Sequence, residues 1–232
     1  MQFFFIVLII CLVLFLYRLY HLANDDFVLA KKNIELEEIF NASIIISIIS
    51  LVFARLVYVI FYPKEVFMSV LGFILFPYFP GLSLVGGLVG GSIALYAYAR
   101  YKKFPIGRVF DFFSLSFLFI LPVGLIGFFI LSGEFTIGGL IKLILFTAAL
   151  VIANIYLYPK ASALEIKDGT ISILFLIFFS AIMLLTNAID NPGLNSFINH
   201  KENFVLISML IVGVILLVKQ EITTRIPLSN AK

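Results

Sequence analysis

Arg55 lies inside an apolar stretch and is the first residue whose type and position could carry chemistry. The stretch runs from Ile44 to Tyr62, and Tyr58 and Tyr62 follow the arginine at positions i+3 and i+7. In a helix this spacing puts the three side chains on one face. An arginine inside a membrane costs about 3 kcal/mol on insertion scales, and a guanidinium can hold a phosphate through paired hydrogen bonds. The pattern predicts a face that binds a lipid phosphate. The alternatives are a structural arginine bonded to carbonyls at a helix break, or one whose side chain reaches the interface.

A glycine pattern follows about thirty residues later in the chain. Gly86 and Gly90 are four residues apart, as are Gly87 and Gly91. This spacing lets two membrane helices approach closely, and helix packing is the favoured interpretation. In the alternative interpretation, the glycines leave room for a lipid headgroup or an acyl chain.

Two acidic residues flank another apolar stretch. Glu134 follows it and is either a catalytic carboxylate or an exposed glutamate at the membrane boundary. Asp111 stands at its start, where we expect the acid to favour the positive end of that helix's own dipole. The single cysteine, Cys11, and the absence of any histidine, cysteine and carboxylate cluster with ligand spacing predict neither a metal site nor a cofactor.

These residues must be positioned by helices that cross a membrane. The chain has 232 residues, of which 62% are hydrophobic and 12% charged, whereas a soluble domain is about 25% charged. Apolar runs of about 20 residues recur along its length, and each can cross a hydrocarbon core of about 30 Å. We therefore expect an all-α polytopic membrane protein, with residues 1–232 forming a single integral membrane domain. The net charge of +3 is spread over short loops and gives no reason to expect nucleic acid as a partner.

The apolar runs predict seven transmembrane helices. Their expected spans are about 2–17, 43–62, 82–99, 110–131, 136–158, 170–188 and 203–218. Residues 66–80 are also apolar, but Pro77 and Pro80 interrupt them, which favours a re-entrant or interfacial segment.

Basic residues predict the orientation. The seven-span arrangement puts twelve of them on one side of the membrane and only Lys64 and Lys201 on the other, with Arg55 and Lys142 within or at the edge of spans. Positive residues mark the cytoplasmic side, so we expect the N-terminus outside and the C-terminus in the cytoplasm.

Taken in order, these motifs resemble those of the prolipoprotein diacylglyceryl transferases, bacterial inner-membrane enzymes that lipidate lipoprotein precursors. Residues 54–62, ARLVYVIFY, resemble the family's GARxGYVLFY, and residues 81–90, GLSLVGGLVG, resemble GMSFHGGLxG. Residues 124–134, GLIGFFILSGE, resemble GRxGNFxNGE. The resemblance runs from about residue 31 to residue 134, and beyond that it rests on helix count and spacing.

The resemblance implies a function and a set of site residues. The family transfers a diacylglyceryl group from phosphatidylglycerol to the cysteine thiol of a lipoprotein precursor. This implies phosphatidylglycerol or another anionic phospholipid, and the precursor's signal peptide, as partners in the bacterial cytoplasmic membrane. The expected catalytic residue is Glu134. The expected phospholipid-binding residues are Arg55, Tyr58, Tyr62, Gly86 and Gly87.

The chain departs from the family pattern at several positions. Val85 replaces a histidine, Leu125 an arginine and Phe128 an asparagine, and Ser132 stands at the second asparagine. Residues 180–190 contain no counterpart to a second arginine. Loss of one electrostatic contact to a transition state typically lowers the rate by about 10²–10³-fold.

Three hypotheses follow from the sequence. The first is an active but divergent transferase. The second is a catalytically degenerate homologue that binds lipid or lipoprotein precursor without transfer. The third is an unrelated small transporter or structural membrane protein, and the sequence shows almost none of the midplane polar residues that a transporter needs.

Overall fold

The computed structural model of the chain describes residues 2–68, 72–73, 81–133 and 135–225, and this part of the chain is helical with no strand. Its α-helices, numbered in chain order, are α1 (Gln2–Asn24), α2 (Phe27–Lys31), α3 (Leu36–Phe61), α4 (Leu84–Tyr101), α5 (Ile106–Ser132), α6 (Ile137–Ile152), α7 (Tyr158–Ser162), α8 (Thr170–Asp190), α9 (Leu194–Asn199) and α10 (Glu202–Arg225). A π-helical turn, Ala153–Leu157, joins α6 to α7 without a break.

The long helices coincide with the apolar runs because a chain in hydrocarbon must satisfy its backbone groups internally. Within the described residues, six helical segments are long and apolar enough to cross a membrane. These segments are Phe5–Asn24, Leu36–Phe61, Ile106–Ser132, Ile137–Ser162, Thr170–Asp190 and Glu202–Gln220. The prediction of an all-helical membrane protein is therefore confirmed.

Helix α4 overlaps the remaining predicted span but is not among those six segments. It has 18 residues, and four glycines, three tyrosines and Arg100 reduce its apolar character. The seventh span and the orientation of the chain in the membrane stay predictions.

The predicted re-entrant segment at 66–80 falls mostly outside the described residues. Its described part begins with a short 3₁₀-helix, Glu65–Met68, and includes residues 72–73. Residues 69–71 and 74–80 are not described.

Contacts between helix termini define two ends of the bundle. At one, called the Tyr62 end, Lys201 donates a hydrogen bond to the carbonyl of Phe61, and the carboxylate of Asp190 accepts one from the N–H of Gly138. These bonds bring together the last residues of α3 and α8 and the first residues of α6 and α10. The opposite end, called the Arg108 end, holds the loops before α3, α5 and α8.

A buried ion pair organises the Arg108 end. The guanidinium of Arg108, only 4% exposed, donates two hydrogen bonds to one oxygen of Asp26, from Nε at 2.8 Å and from Nη2 at 2.5 Å. Its Nη1 donates to the carbonyl of Ala161 at 2.8 Å and lies 3.4 Å from Asp168 Oδ1. The other oxygen of Asp26 caps α2 by accepting from the N–H of Leu29. One arginine thus links the loops after α1 and α7 to α5.

Asp111 has a different role from the predicted one. It lies in the second turn of α5 and does not cap that helix. Its two carboxylate oxygens accept hydrogen bonds from the N–H groups of Gly169 (2.7 Å) and Ser172 (2.8 Å). These donors are at the start of α8, so Asp111 stabilises the positive end of a neighbouring helix. The acid does favour the positive end of a helix dipole, but the dipole is that of α8, which begins about sixty residues later.

Candidate functional site

Arg55 lies on α3 near the Tyr62 end and is 2% exposed. Its guanidinium donates three hydrogen bonds to backbone carbonyls, those of Gly72 (2.7 Å), Phe73 (3.1 Å) and Gly81 (2.7 Å). Within the described residues no carboxylate lies within 4 Å of it. The arginine therefore links these three residues to α3, and their carbonyl dipoles compensate its charge.

Aromatic rings cover this arginine. The guanidinium carbon of Arg55 lies 4.6 Å from the centre of the Phe67 ring, a favourable cation–π geometry. Tyr58 contacts both Phe67 and Tyr62, with ring centres 6.0 and 5.2 Å apart. Gly81 has φ +148°, and a Cβ there would lie 2.0 Å from the Tyr58 ring, so only glycine fits. The predicted face of Arg55, Tyr58 and Tyr62 is one packed unit.

Tyr62 connects this unit to the loop before α10. Its ring centre is 6.4 Å from that of His200, whose Nδ1 is buried and has no hydrogen-bond partner among the described residues. The Tyr62 phenol can donate a hydrogen bond. His200 was missed as part of this site because only the fold brings it to α3.

Lys142 is a second cation at this end of the bundle. It is half-buried on α6. Asp190 accepts hydrogen bonds from the N–H of Gly138 at 3.0 Å and from the Thr136 hydroxyl at 3.4 Å. From the sequence, Lys142 was expected within or at the edge of a span, with no predicted role.

The predicted glycines lie between two helices. Gly86 and Gly87 are buried on the face of α4 that packs against α3. A Cβ on Gly86 would lie 2.5 Å from Val57 Cβ, and the carbonyl of Gly87 accepts a hydrogen bond from the Ser50 hydroxyl at 2.8 Å. The expectation of close helix packing is met at both glycines, and side chains of α3 occupy the space beside them.

Substitution of Gly86 tests that packing. In Gly86→Ala the new methyl group would overlap Val57, so the two helices must move apart, and we expect a loss of about 1–3 kcal/mol. Thermal unfolding in detergent measures it. Gly124→Ala is the matched control, because its Cβ would meet only Cys11 Sγ at 3.8 Å. Equal unfolding temperatures for both variants would contradict the packing role.

The remaining sequence predictions have mixed outcomes. Glu134, the expected catalytic residue, lies outside the described residues. Val85, at the position of the family's histidine, is 0% exposed in the hydrophobic core.

Leu125, at the position of an arginine, lies one turn from Phe129, which packs against Gly139 of α6. Because α5 and α6 run in opposite directions, Leu125 and Lys142 lie at nearly the same depth.

Comparison with known proteins gives a family match. The sequence profile of the family described as prolipoprotein diacylglyceryl transferase matches residues 2–139, more than half of the chain. The matched region covers α1 to α5 and includes Arg55, Tyr62 and both predicted glycines. No curated protein matches the chain.

Proposed function

Because this chain belongs to the prolipoprotein diacylglyceryl transferase family, we propose that it transfers a diacylglyceryl group from phosphatidylglycerol to the cysteine thiol of a lipoprotein precursor. The observation that carries the proposal is the family match, which includes the buried Arg55. The proposed setting is the bacterial cytoplasmic membrane, where the whole chain forms one membrane domain with its N-terminus outside. The bias of basic residues supports this orientation.

The proposed reaction makes one bond and breaks one. The cysteine sulfur attacks the glycerol carbon that bears the phosphate, the carbon–sulfur bond forms, and the carbon–oxygen bond to the phosphate breaks. Glycerol phosphate leaves with the bonding electrons, and the thiol proton passes to a base. The thiol needs a base or a nearby cation to become a thiolate, and the leaving phosphate needs fixed positive charge.

The proposed roles follow from these needs. Arg55 supplies buried positive charge and orders the segment beside the site, and the Tyr58 and Tyr62 phenols offer hydrogen-bond donors to phosphate oxygens. Glu134 is the proposed catalytic carboxylate. Gly86 and Gly87 contribute by letting α3 and α4 approach closely.

A transfer assay tests the proposal. The purified protein is incubated in mixed micelles with phosphatidylglycerol and a lipobox peptide, and mass spectrometry measures the peptide. We expect the mass to increase by one diacylglyceryl group. A peptide with serine in place of the cysteine, and phosphatidylethanolamine in place of phosphatidylglycerol, are the controls. A cooperative thermal unfolding transition shows that the preparation is folded. If such a preparation gives no product from the cysteine peptide, the proposed function is contradicted.

A second candidate function is favoured by one observation. Val85 is completely buried in the apolar core at the position where the family has a histidine, so it offers no base. A catalytically degenerate homologue would still bind phosphatidylglycerol or the precursor. Binding of either without transfer, together with failure to sustain cells depleted of their own transferase, would favour this candidate.

A further inference from the structure

An apolar groove lies between α6 and α8, with α5 as its floor, in the half of the bundle nearest the Arg108 end. Its volume is about 210 Å³, more than the ~150 Å³ of an apolar cavity that holds benzene. Ala148, Ala149 and Ala153 line it on α6, where their short side chains leave the space open. On α8, Phe175 is buried at the bottom, whereas Phe178 is 51% exposed at the rim. We call this space the α6–α8 groove.

The described helices leave the outer side of this groove open. Helix α10 packs on a different face of α8, where its Gly213 lies against Ile177. Helix α1 packs on α5, and the rings of Phe15 and Phe113 are in contact there. The three helices that form the groove belong to segments long and apolar enough to cross a membrane. The groove therefore opens to the hydrocarbon that surrounds the bundle.

The lining determines what can fill this space. Apart from Ser114, the described residues that line the groove are all apolar. A buried water molecule needs about two to four polar partners, so water does not fill the groove. A transmembrane helix is about 10 Å wide and cannot enter a space of this volume. A hydrocarbon chain is apolar and thin, and the membrane itself supplies it.

The length of the groove matches one leaflet of a bilayer. The groove extends along α8 from Ile171, in the first turn, to Ile182, which corresponds to about 16 Å along the axis. The hydrocarbon core of a bilayer is about 30 Å thick, so one leaflet contributes about 15 Å. The groove begins beside the loop that joins α7 to α8, which contains Glu165, Lys167 and Asp168. A lipid with its head group beside this polar loop would place one acyl chain along the groove.

The wall of the groove near this loop contains the π-helical turn. Ala153 and Leu157, the first and last residues of the turn, both line the groove. Asn154 accepts a hydrogen bond from the guanidinium of Arg18 on α1, which holds the turn from its other side. Such turns within α-helices occur frequently at functional sites. The turn is thus an indication of function that does not depend on the volume of the groove.

We propose that the α6–α8 groove binds one acyl chain of a membrane phospholipid, in the leaflet at the Arg108 end. The site is separate from the Arg55 unit near the Tyr62 end, and it does not depend on the proposed transfer reaction. Lipid tails are as apolar as the lining, so the affinity comes from van der Waals contacts that an empty groove would lose.

Quenching of tryptophan fluorescence by a brominated phospholipid tests the proposal. The chain contains no tryptophan, so one substitution gives one reporter. Phe175→Trp puts the reporter at the bottom of the groove, where a chain inside the groove reaches it. Phe15→Trp is the matched control, because Phe15 is 8% and Phe175 7% exposed, and Phe15 lies between α1 and α5. Each variant is reconstituted in phosphatidylcholine with bromine atoms in the middle of one acyl chain, and its fluorescence is compared with that in unbrominated lipid.

Phe175→Trp is expected to lose much more fluorescence than Phe15→Trp. Adding Ala148→Phe, whose ring fills the groove from the exposed rim, is expected to lower the quenching of Phe175→Trp to the level of Phe15→Trp. Adding Thr147→Phe is expected to leave it unchanged, because Thr147 is exposed on the opposite face of α6 at nearly the same depth. Equal quenching of the two reporters, or quenching that Ala148→Phe does not lower, would overturn the proposal.

Native mass spectrometry of the chain without tryptophan gives a test that does not require Phe175→Trp to fold. The unsubstituted chain, Ala148→Phe and Thr147→Phe are purified from membranes in a mild detergent, and a cooperative thermal unfolding transition shows that each is folded. Ala148→Phe is expected to retain one phospholipid fewer than the other two. Equal numbers of retained phospholipids in all three would overturn the proposal. A free fatty acid, or a second copy of the chain, that only Ala148→Phe loses would also overturn it.

Discussion

Replacement of Arg55 by methionine is expected to release the segment between α3 and α4 and to lower transfer at least about 100-fold. The carbonyls of Gly72, Phe73 and Gly81 would lose their donor, and each unsatisfied buried polar group costs about 1–3 kcal/mol. Removing the charge recovers about 3 kcal/mol of insertion cost. We therefore expect the free energy of unfolding to fall by about 3 kcal/mol, because the cost of three unsatisfied carbonyls exceeds the gain from removing one charge.

Trypsin cleavage after Lys64 reports that release directly. Lys64 is the only tryptic site between residues 56 and 99, so faster cleavage there in Arg55→Met measures opening of the segment. Arg55→Lys is expected to be intermediate, because an ammonium cannot reproduce the planar fork that bonds three carbonyls. Arg100→Met, on the exposed end of α4, is the control and is expected to behave as wild type. Wild-type cleavage and stability in Arg55→Met would show that the carbonyl contacts do not hold the segment.

The buried pair at the other end of the bundle has the second large expected effect. Arg108→Met is expected to lose about 3–5 kcal/mol of stability, since it leaves the carboxylate of Asp26 buried without its cation. The same change removes the hydrogen bond to the Ala161 carbonyl. Thermal or denaturant unfolding in detergent measures the loss.

Two further variants isolate the ion pair. The double variant Asp26→Asn with Arg108→Met removes both charges, so we expect it to be more stable than Arg108→Met alone. The exposed pair of Lys102 and Glu38, 3.2 Å apart, is the matched control, and Lys102→Met is expected to cost less than about 1 kcal/mol. Similar losses in Arg108→Met and Lys102→Met would contradict the role of the buried pair.

The sequence predicted the components of the Arg55 unit and not its bonds. Helical spacing correctly put Arg55, Tyr58 and Tyr62 on one face, and the rings of Tyr58 and Tyr62 are in contact. The acceptors of the guanidinium lie 17 to 26 residues further along. They are backbone carbonyls, and neither the sequence pattern nor the side-chain type identifies such acceptors.

Long-range contacts account for the other differences. Asp111 was expected to serve its own helix, but its partners are 58 and 61 residues away. Lys142 could have been found from the sequence, because it stands four residues from Gly138 and from Phe146 on one helical stripe. The glycine spacing in α4 was sufficient to predict packing, since that signal is local to one helix. Which helix it packs against required the fold.

The two aspartates that cap other helices relate the order of assembly to the order of synthesis. Asp111 is made before α8, so the start of α8 meets its acceptor as soon as it emerges. The start of α6, in contrast, is made 52 residues before Asp190, which accepts from Gly138. The N–H of Gly138 therefore lacks this acceptor until α8 has been made and has docked. The acceptor for the Gly138 N–H therefore comes from a helix made later, whereas Thr136 caps Gly139 from within the same segment.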